Sequence, residues 1–195
     1  MQNELPDTSI GDFYRLKEAT KGTILEGYVQ VYTGNGKGKT TAAFGLALRA
    51  AGVGMKVFIA QFIKGMHYSE LDAFSRFEDI VTIRQYGRGC FIRNEPERED
   101  FDCAGKGFEE VVAVIRAGEH QVVILDEVNI AIHLGLLSLN DVISLLETKP
   151  SHVELVLTGR YAHPAIIEHA DLVTEMKEIK HYYSRGIMAR EGIEK

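Results

Sequence analysis

The chain has 195 residues, 45% of them hydrophobic, and a formal net charge of −6. That length suits one domain with a sizeable core, and the acidic balance argues against a broad nucleic-acid surface, which needs a basic stripe. Its two cysteines, Cys90 and Cys103, have no metal-ligand spacing and form no disulfide framework, so both read as free thiols of a reducing compartment.

The opening MQNELPDTSIGDFYR has no basic head followed by an apolar stretch, so it is not expected to act as a secretory leader. No apolar run approaches the ~18 residues of a membrane span, and the expected location is cytoplasmic. Residues 1–26 read as a polar N-terminal arm without a core strand. Within it DFYRLKEATKG has the pattern of a short amphipathic helix, with Phe13 and Leu16 on one side. Residues 27–195 read as one domain.

From Gly27 onward, short apolar runs alternate with helical patterns. GYVQVYT reads as a strand, KTTAAFGLALRAAG as a helix closed by Gly52, and KVFIAQF as a second strand. SELDAFSRF is a helix and DIVTIRQY a strand. After the polar stretch GRGCFIRNEPERED, a helix is expected over FEEVVAVIRAG, then a buried strand over QVVILDE. SLNDVISLLET opens with Ser138 and Asp141 at capping-box separation. HVELVLTG is a strand, PAIIEHA a short helix started by Pro164, and DLVTEMKEI a last strand. This alternation predicts an α/β fold with a mostly parallel central sheet covered by helices on both faces. Two loops, IKGMHYSE and GRGCFIRNEPERED, leave from the carboxyl ends of strands, where open α/β sheets bind ligands.

The stretch Thr33-Gly34-Asn35-Gly36-Lys37-Gly38-Lys39-Thr40, followed by Thr41, nearly fits the Walker pattern G-x-x-x-x-G-K-[ST], with Thr33 in place of the first glycine. Glycines let backbone N–H groups converge on phosphate oxygens, and the helix N-terminus adds partial positive charge. Lys39 supplies a cation, the Thr40 hydroxyl is placed for Mg²⁺, and Lys37 puts a second cation in the loop. VVILDE, an apolar strand ending in Asp126 and Glu127, has the form of a Walker B segment whose acids reach Mg²⁺. His163 and His169 lie too far apart for one helical metal-binding face. Arg160, after LVLTG, falls on the ligand edge.

GNGKGKTTAAFGLALRAAG, AQFIKG, VVILDE, LTGR with ADLVTEM, and KHYYSRGIMAREGIEK occur here in an order that resembles the ATP:corrinoid adenosyltransferases of cobalamin synthesis and salvage. The resemblance runs from about Gly27 to the C-terminus. It implies a RecA-like P-loop fold and transfer of the 5′-deoxyadenosyl group of ATP to the Co(I) centre of a corrinoid, with tripolyphosphate released. Lys37, Lys39 and Mg²⁺ would stabilise the leaving group, and Thr40, Asp126 and Glu127 would serve the metal. The substrate would be cobalamin, cobinamide or cobyrinic acid a,c-diamide, the reductant a protein such as a flavodoxin, and the assembly a homodimer. Phe91 would crowd the lower face of the corrin. The family often pairs that Phe with a Trp; this chain has no tryptophan, and Arg93 stands near its place. Arg93 would be a further contact to the corrinoid, and Arg160 one to the corrinoid or to phosphate. Two other readings stay open: a RecA-like ATPase in which Glu127 activates water, and a nucleotide-gated binding module.

Overall fold

The alternating pattern becomes, in the computed structural model, one six-stranded sheet in which every strand runs parallel to its neighbours. Residues 26–89 and 95–194 are described here. In chain order the elements are β1 (Val29–Thr33), α1 (Lys39–Ala51), β2 (Val57–Phe62), α2 (Ser69–Phe74) and β3 (Val81–Tyr86). There follow α3 (Arg98–Ala117), β4 (Val122–Asp126), α4 (Val128–His133), α5 (Leu139–Thr148), β5 (Glu154–Thr158), α6 (Pro164–Glu168) and β6 (Leu172–Glu175). One 3₁₀ turn, Ser75–Phe77, extends α2, and another, Tyr182–Arg185, lies in the C-terminal tail. No helix among the described residues is long and apolar enough to cross a membrane.

The strands lie in the order β3-β2-β4-β5-β1-β6. Strands β2 and β4 are buried at every position, which is why VFIAQF and VVILD read as near-continuous apolar runs. Side-chain alternation divides the core into two layers. Val57, Ile59, Ile124 and Val156 pack with Ala43, Phe44, Ala47 and Ala50 of α1. Phe58, Ala60, Phe62, Val123, Leu125 and Leu157 meet α3, α4 and α5 on the opposite face. Alanines at three of those four α1 positions bring the helix axis close to the sheet. Ala47 is fully buried, so Ala47→Leu would overpack this layer at a cost of about 1–3 kcal/mol.

Several local details depart from the sequence expectation. Helix α3 begins at Arg98, ten residues before the expected Phe108. Its start is set by a reciprocal cap: the Glu97 side chain accepts from the Asp100 backbone, and the Asp100 side chain accepts from the Glu97 N–H. Arg88 grips both acids, with Nε and Nη2 on Asp100 at 2.7 and 2.8 Å and Nη1 on Glu97 at 2.8 Å. The helix is thereby tied to the end of β3. The six-residue helix α4 was not expected, because VNIAIH continues the apolar strand without a turn residue. Elsewhere the capping signals hold: Ser138 Oγ accepts from the Asp141 N–H, and Pro164 opens α6. Cys103 is a free, partly buried thiol on α3.

Candidate active site at the carboxyl edge of the sheet

Strand β1 ends against β5 and β6, and the loop that follows it delivers the chain into α1. Gly38, the helix N-cap, has φ 116° and offers no side-chain cap, so the first N–H groups of α1 meet no capping side chain. The glycines of this loop have a second reason to be there. The Gly36 N–H donates to the Met176 carbonyl at 2.6 Å, and a Cβ on Gly36 would also lie 2.6 Å from that oxygen. The chain leaving β6 therefore lies directly against the loop.

The two loop lysines face different ways. Lys39 is buried, and its Nζ donates to the carbonyls of Gly34 at 2.8 Å and Gly36 at 2.7 Å, so it braces the loop from within. Burial lowers its pKa below the ordinary lysine value; Glu127 opposes that shift and Arg160 reinforces it. Lys37 points outward to the C-terminal tail. Its Nζ donates to Glu194 Oε1 at 2.8 Å, the Ile193 carbonyl at 3.0 Å and the Tyr182 hydroxyl at 3.2 Å. Tyr182 and Arg190 also donate to Glu194, and the Arg190, Lys37 and Tyr182 hydrogen bonds hold its carboxyl well below the usual carboxylate range.

Asp126 ends β4 with no solvent exposure. Its Oδ1 accepts from Thr40 Oγ1 at 2.8 Å and Thr158 Oγ1 at 2.7 Å. Its Oδ2 accepts from Lys64 Nζ at 2.8 Å and Gln61 Nε2 at 3.3 Å. Glu127 is arranged differently. Its backbone is left-handed at φ 60°, and its N–H donates to Thr158 Oγ1 at 3.0 Å. Its Oε2 is buried and meets no hydrogen-bond donor. Burial raises its pKa, the Asp126 charge raises it further, and Lys64, Lys39 and Arg160 pull it back. The edge thus holds an open helix N-terminus, a hydroxyl bonded to a carboxylate, and a neighbouring carboxylate oxygen without a partner. Such a set accommodates a phosphate chain with a divalent cation.

Residues 25–194 match the family model described as ATP:corrinoid adenosyltransferase BtuR/CobO/CobP. The chain belongs to the ATP:corrinoid adenosyltransferase family. It is similar to a corrinoid adenosyltransferase of Pseudomonas aeruginosa, 38% identical over 86% of this chain and 83% of the relative. One from a Sinorhizobium species is 40% identical over 90% of this chain and 83% of the relative. The Escherichia coli K12 enzyme of the same name is 31% identical over 92% and 94%.

Against the sites expected of a corrinoid adenosyltransferase, the structure gathers Thr33 to Thr41 on one loop and first helical turn, with Asp126 on the Thr40 hydroxyl and Glu127 next to Asp126 at the strand end. Asn35 and Thr41 are exposed, and Thr33 Oγ1 accepts from the Ala162 N–H at 3.3 Å. Arg160 is exposed on the same edge, near enough for its charge to act on Lys39 and Glu127. Phe91 and Arg93 lie outside the described residues, as does most of the arm 1–26. His163 caps α6, and His169 reaches Glu147 at 3.4 Å. Sequence reasoning assigned no role to Gln61, Lys64, Thr158 or Glu194. Gln61 did carry a signal, as a polar residue in the apolar run VFIAQF.

Proposed function

We propose that this enzyme transfers the 5′-deoxyadenosyl group of ATP to the Co(I) centre of a corrinoid and releases tripolyphosphate. The Co(I) electron pair attacks C5′, the C5′–O5′ bond breaks, and the triphosphate departs with that bond's electron pair. Cobalt becomes formally Co(III), and no phosphate is transferred. The observation that carries the reading is the phosphate loop beside a buried carboxylate oxygen without a partner, in a chain of this family. A leaving triphosphate gathers negative charge, and donors fixed in place before reaction stabilise it most.

Within this scheme Thr33, Gly34, Asn35, Gly36, Lys37, Gly38, Lys39, Thr40 and Thr41 form the ATP site. Lys39 gives the leaving oxygens a cation from inside the loop, and Lys37, paired with Glu194 at 2.8 Å, would add its charge once it leaves that acid for the phosphates. The donor set fits Mg²⁺: Thr40 and Glu127 would hold it, and Asp126 orients the Thr40 hydroxyl that it already binds. Bound there, Mg²⁺ would supply positive charge to the triphosphate. Glu127 has no water-activating task, because water is not a reactant.

Phe91, Arg93 and Arg160 are proposed to meet the corrinoid, whether cobalamin, cobinamide or cobyrinic acid a,c-diamide. A reductant protein such as a flavodoxin would supply Co(I). The working form is proposed to be a cytoplasmic homodimer in which the arm 1–26 lies over an active site, with residues 27–195 as the catalytic domain. The test is anaerobic incubation with ATP, Mg²⁺ and chemically reduced cob(I)alamin. Formation of a light-sensitive Co–C bond, abolished by EDTA, supports the scheme; a product formed equally well in EDTA removes the metal from it.

A further inference from the structure

The Lys64–Asp126 pair has no place in the scheme so far, and it sits at the centre of the site. Ile63, the residue after β2, takes a left-handed φ of 64°, rare for a β-branched side chain. That turn sends Lys64 back over the sheet edge. The fold holds it there by close backbone packing: a Cβ on Gly65 would lie 2.2 Å from the Gly87 carbonyl oxygen beyond β3. The Lys64 side chain is 15% exposed, its Nζ lies 2.8 Å from Asp126 Oδ2, and it stands over the Tyr68 ring at 5.1 Å. Gln85 of β3 supports the same group, donating to Gln61 Oε1 at 3.1 Å while Gln61 donates to Asp126. Side chains from α1, β2, β5 and the loop after β2 thus converge on one carboxylate.

Asp126 in this setting is surrounded by donors and neutralised by a cation. A divalent ion bound to its Oδ2 would stand beside an ammonium, a strong like-charge repulsion in a buried site. Glu127 is left as the acid with a free oxygen. A lone carboxylate and a hydroxyl make a weak cation site until phosphate oxygens complete it.

We propose that Lys64 is a positioning residue: it cancels the charge of Asp126, keeps that carboxylate for orienting Thr40, and leaves the site unable to collect a divalent cation before the nucleotide arrives. The proposal rests on the metal reading given above. Mn²⁺ binding to the nucleotide-free protein, followed by its electron paramagnetic resonance, tests it with no turnover required. Lys64→Met is expected to bind Mn²⁺ about tenfold or more tighter than wild type, because Asp126, freed of its ammonium, then joins Glu127 as a second anionic ligand. Lys64→Met/Asp126→Asn is expected to lose that gain. Unchanged Mn²⁺ affinity in Lys64→Met overturns the proposal, above all if its ATP affinity falls, since Lys64 would then be a phosphate contact. Persistence of the gain in the double variant also overturns it.

If Lys64→Met fails to fold, thermal melting of Asp126→Asn against the double variant decides the matter. Asp126→Asn strands a buried ammonium and should melt well below wild type, and the double variant should recover most of that loss. Additive losses overturn the pairing. Wild-type turnover that ignores EDTA would sink the metal reading, while the melting comparison still reports on the pair.

Discussion

Glu127→Gln separates stability from function at this site. The Glu127 carboxylate has one buried oxygen with no donor, next to the Asp126 charge. Leaving a buried acceptor unmet costs about 1–3 kcal/mol, and more when it is charged. The amide has nearly the same shape and no charge to desolvate. The nucleotide-free variant should therefore gain about 1 kcal/mol, or roughly 2–4 °C in Tm for a chain of this size. The effect has a sign in pH. Burial lifts the folded-state pKa of Glu127 above its unfolded value, so ionisation penalises the fold above that pKa and the penalty vanishes as pH falls through it. The melting gap between variant and wild type should be widest at neutral pH and narrow on acidification. With MgATP the order should invert, because ligand at a hundred times its Kd adds about 2.7 kcal/mol to a protein that binds it. Turnover should fall about 10²-fold. Differential scanning calorimetry from neutral to acid pH, with and without MgATP, reads all of this. A Glu127→Gln protein that melts below wild type at every pH refutes the reasoning and makes the carboxylate a structural group.

Three further outcomes follow from the same geometry. Lys39→Ala should lower kcat by about 10²–10³-fold at saturating ATP, the scale of losing one preplaced transition-state donor; steady-state rates check it, and a variant retaining most of its kcat removes Lys39 from the mechanism. Glu194→Gln should loosen the tail, because Lys37, Tyr182 and Arg190 all converge on that carboxylate. Trypsin should then cut after Arg185 and Arg190 faster than in wild type, and an unchanged cleavage rate would show that the clasp does not hold the tail. Phe91→Ala should fail with Co(II) corrinoid and a weak protein reductant, yet recover activity when Co(I) is supplied chemically. Such a ring would exclude water and a lower axial ligand from the cobalt; equal losses in both assays contradict that.

Much of the fold was legible because its signals are local. Period-two and continuous apolar runs marked β1 to β5, and glycine, serine and proline at helix ends marked α1, α5 and α6. The start of α3 was not legible, since REDFDCAGKG is polar and holds two glycines. Its cap works through Arg88, ten residues upstream of Arg98 and fixed in place by the sheet. The glycine loop and the acidic strand end were readable as motifs. What surrounds them was not, because Lys64, Thr158 and Glu194 reach the site only through tertiary contacts spanning 62, 32 and 157 residues. Gly36 shows the limit of a motif: the glycine that the Walker pattern explains by phosphate is also required by the close approach of Met176.

The fate of the phosphates tests the central claim most directly. Wild-type enzyme is incubated anaerobically with ATP, Mg²⁺ and cob(I)alamin, and the phosphorus products are identified by ³¹P NMR. Attack at C5′ predicts tripolyphosphate in equal amount to the cobalt–carbon bonds formed. ADP and inorganic phosphate, appearing with or without corrinoid, would show instead that the loop serves hydrolysis and would contradict the account.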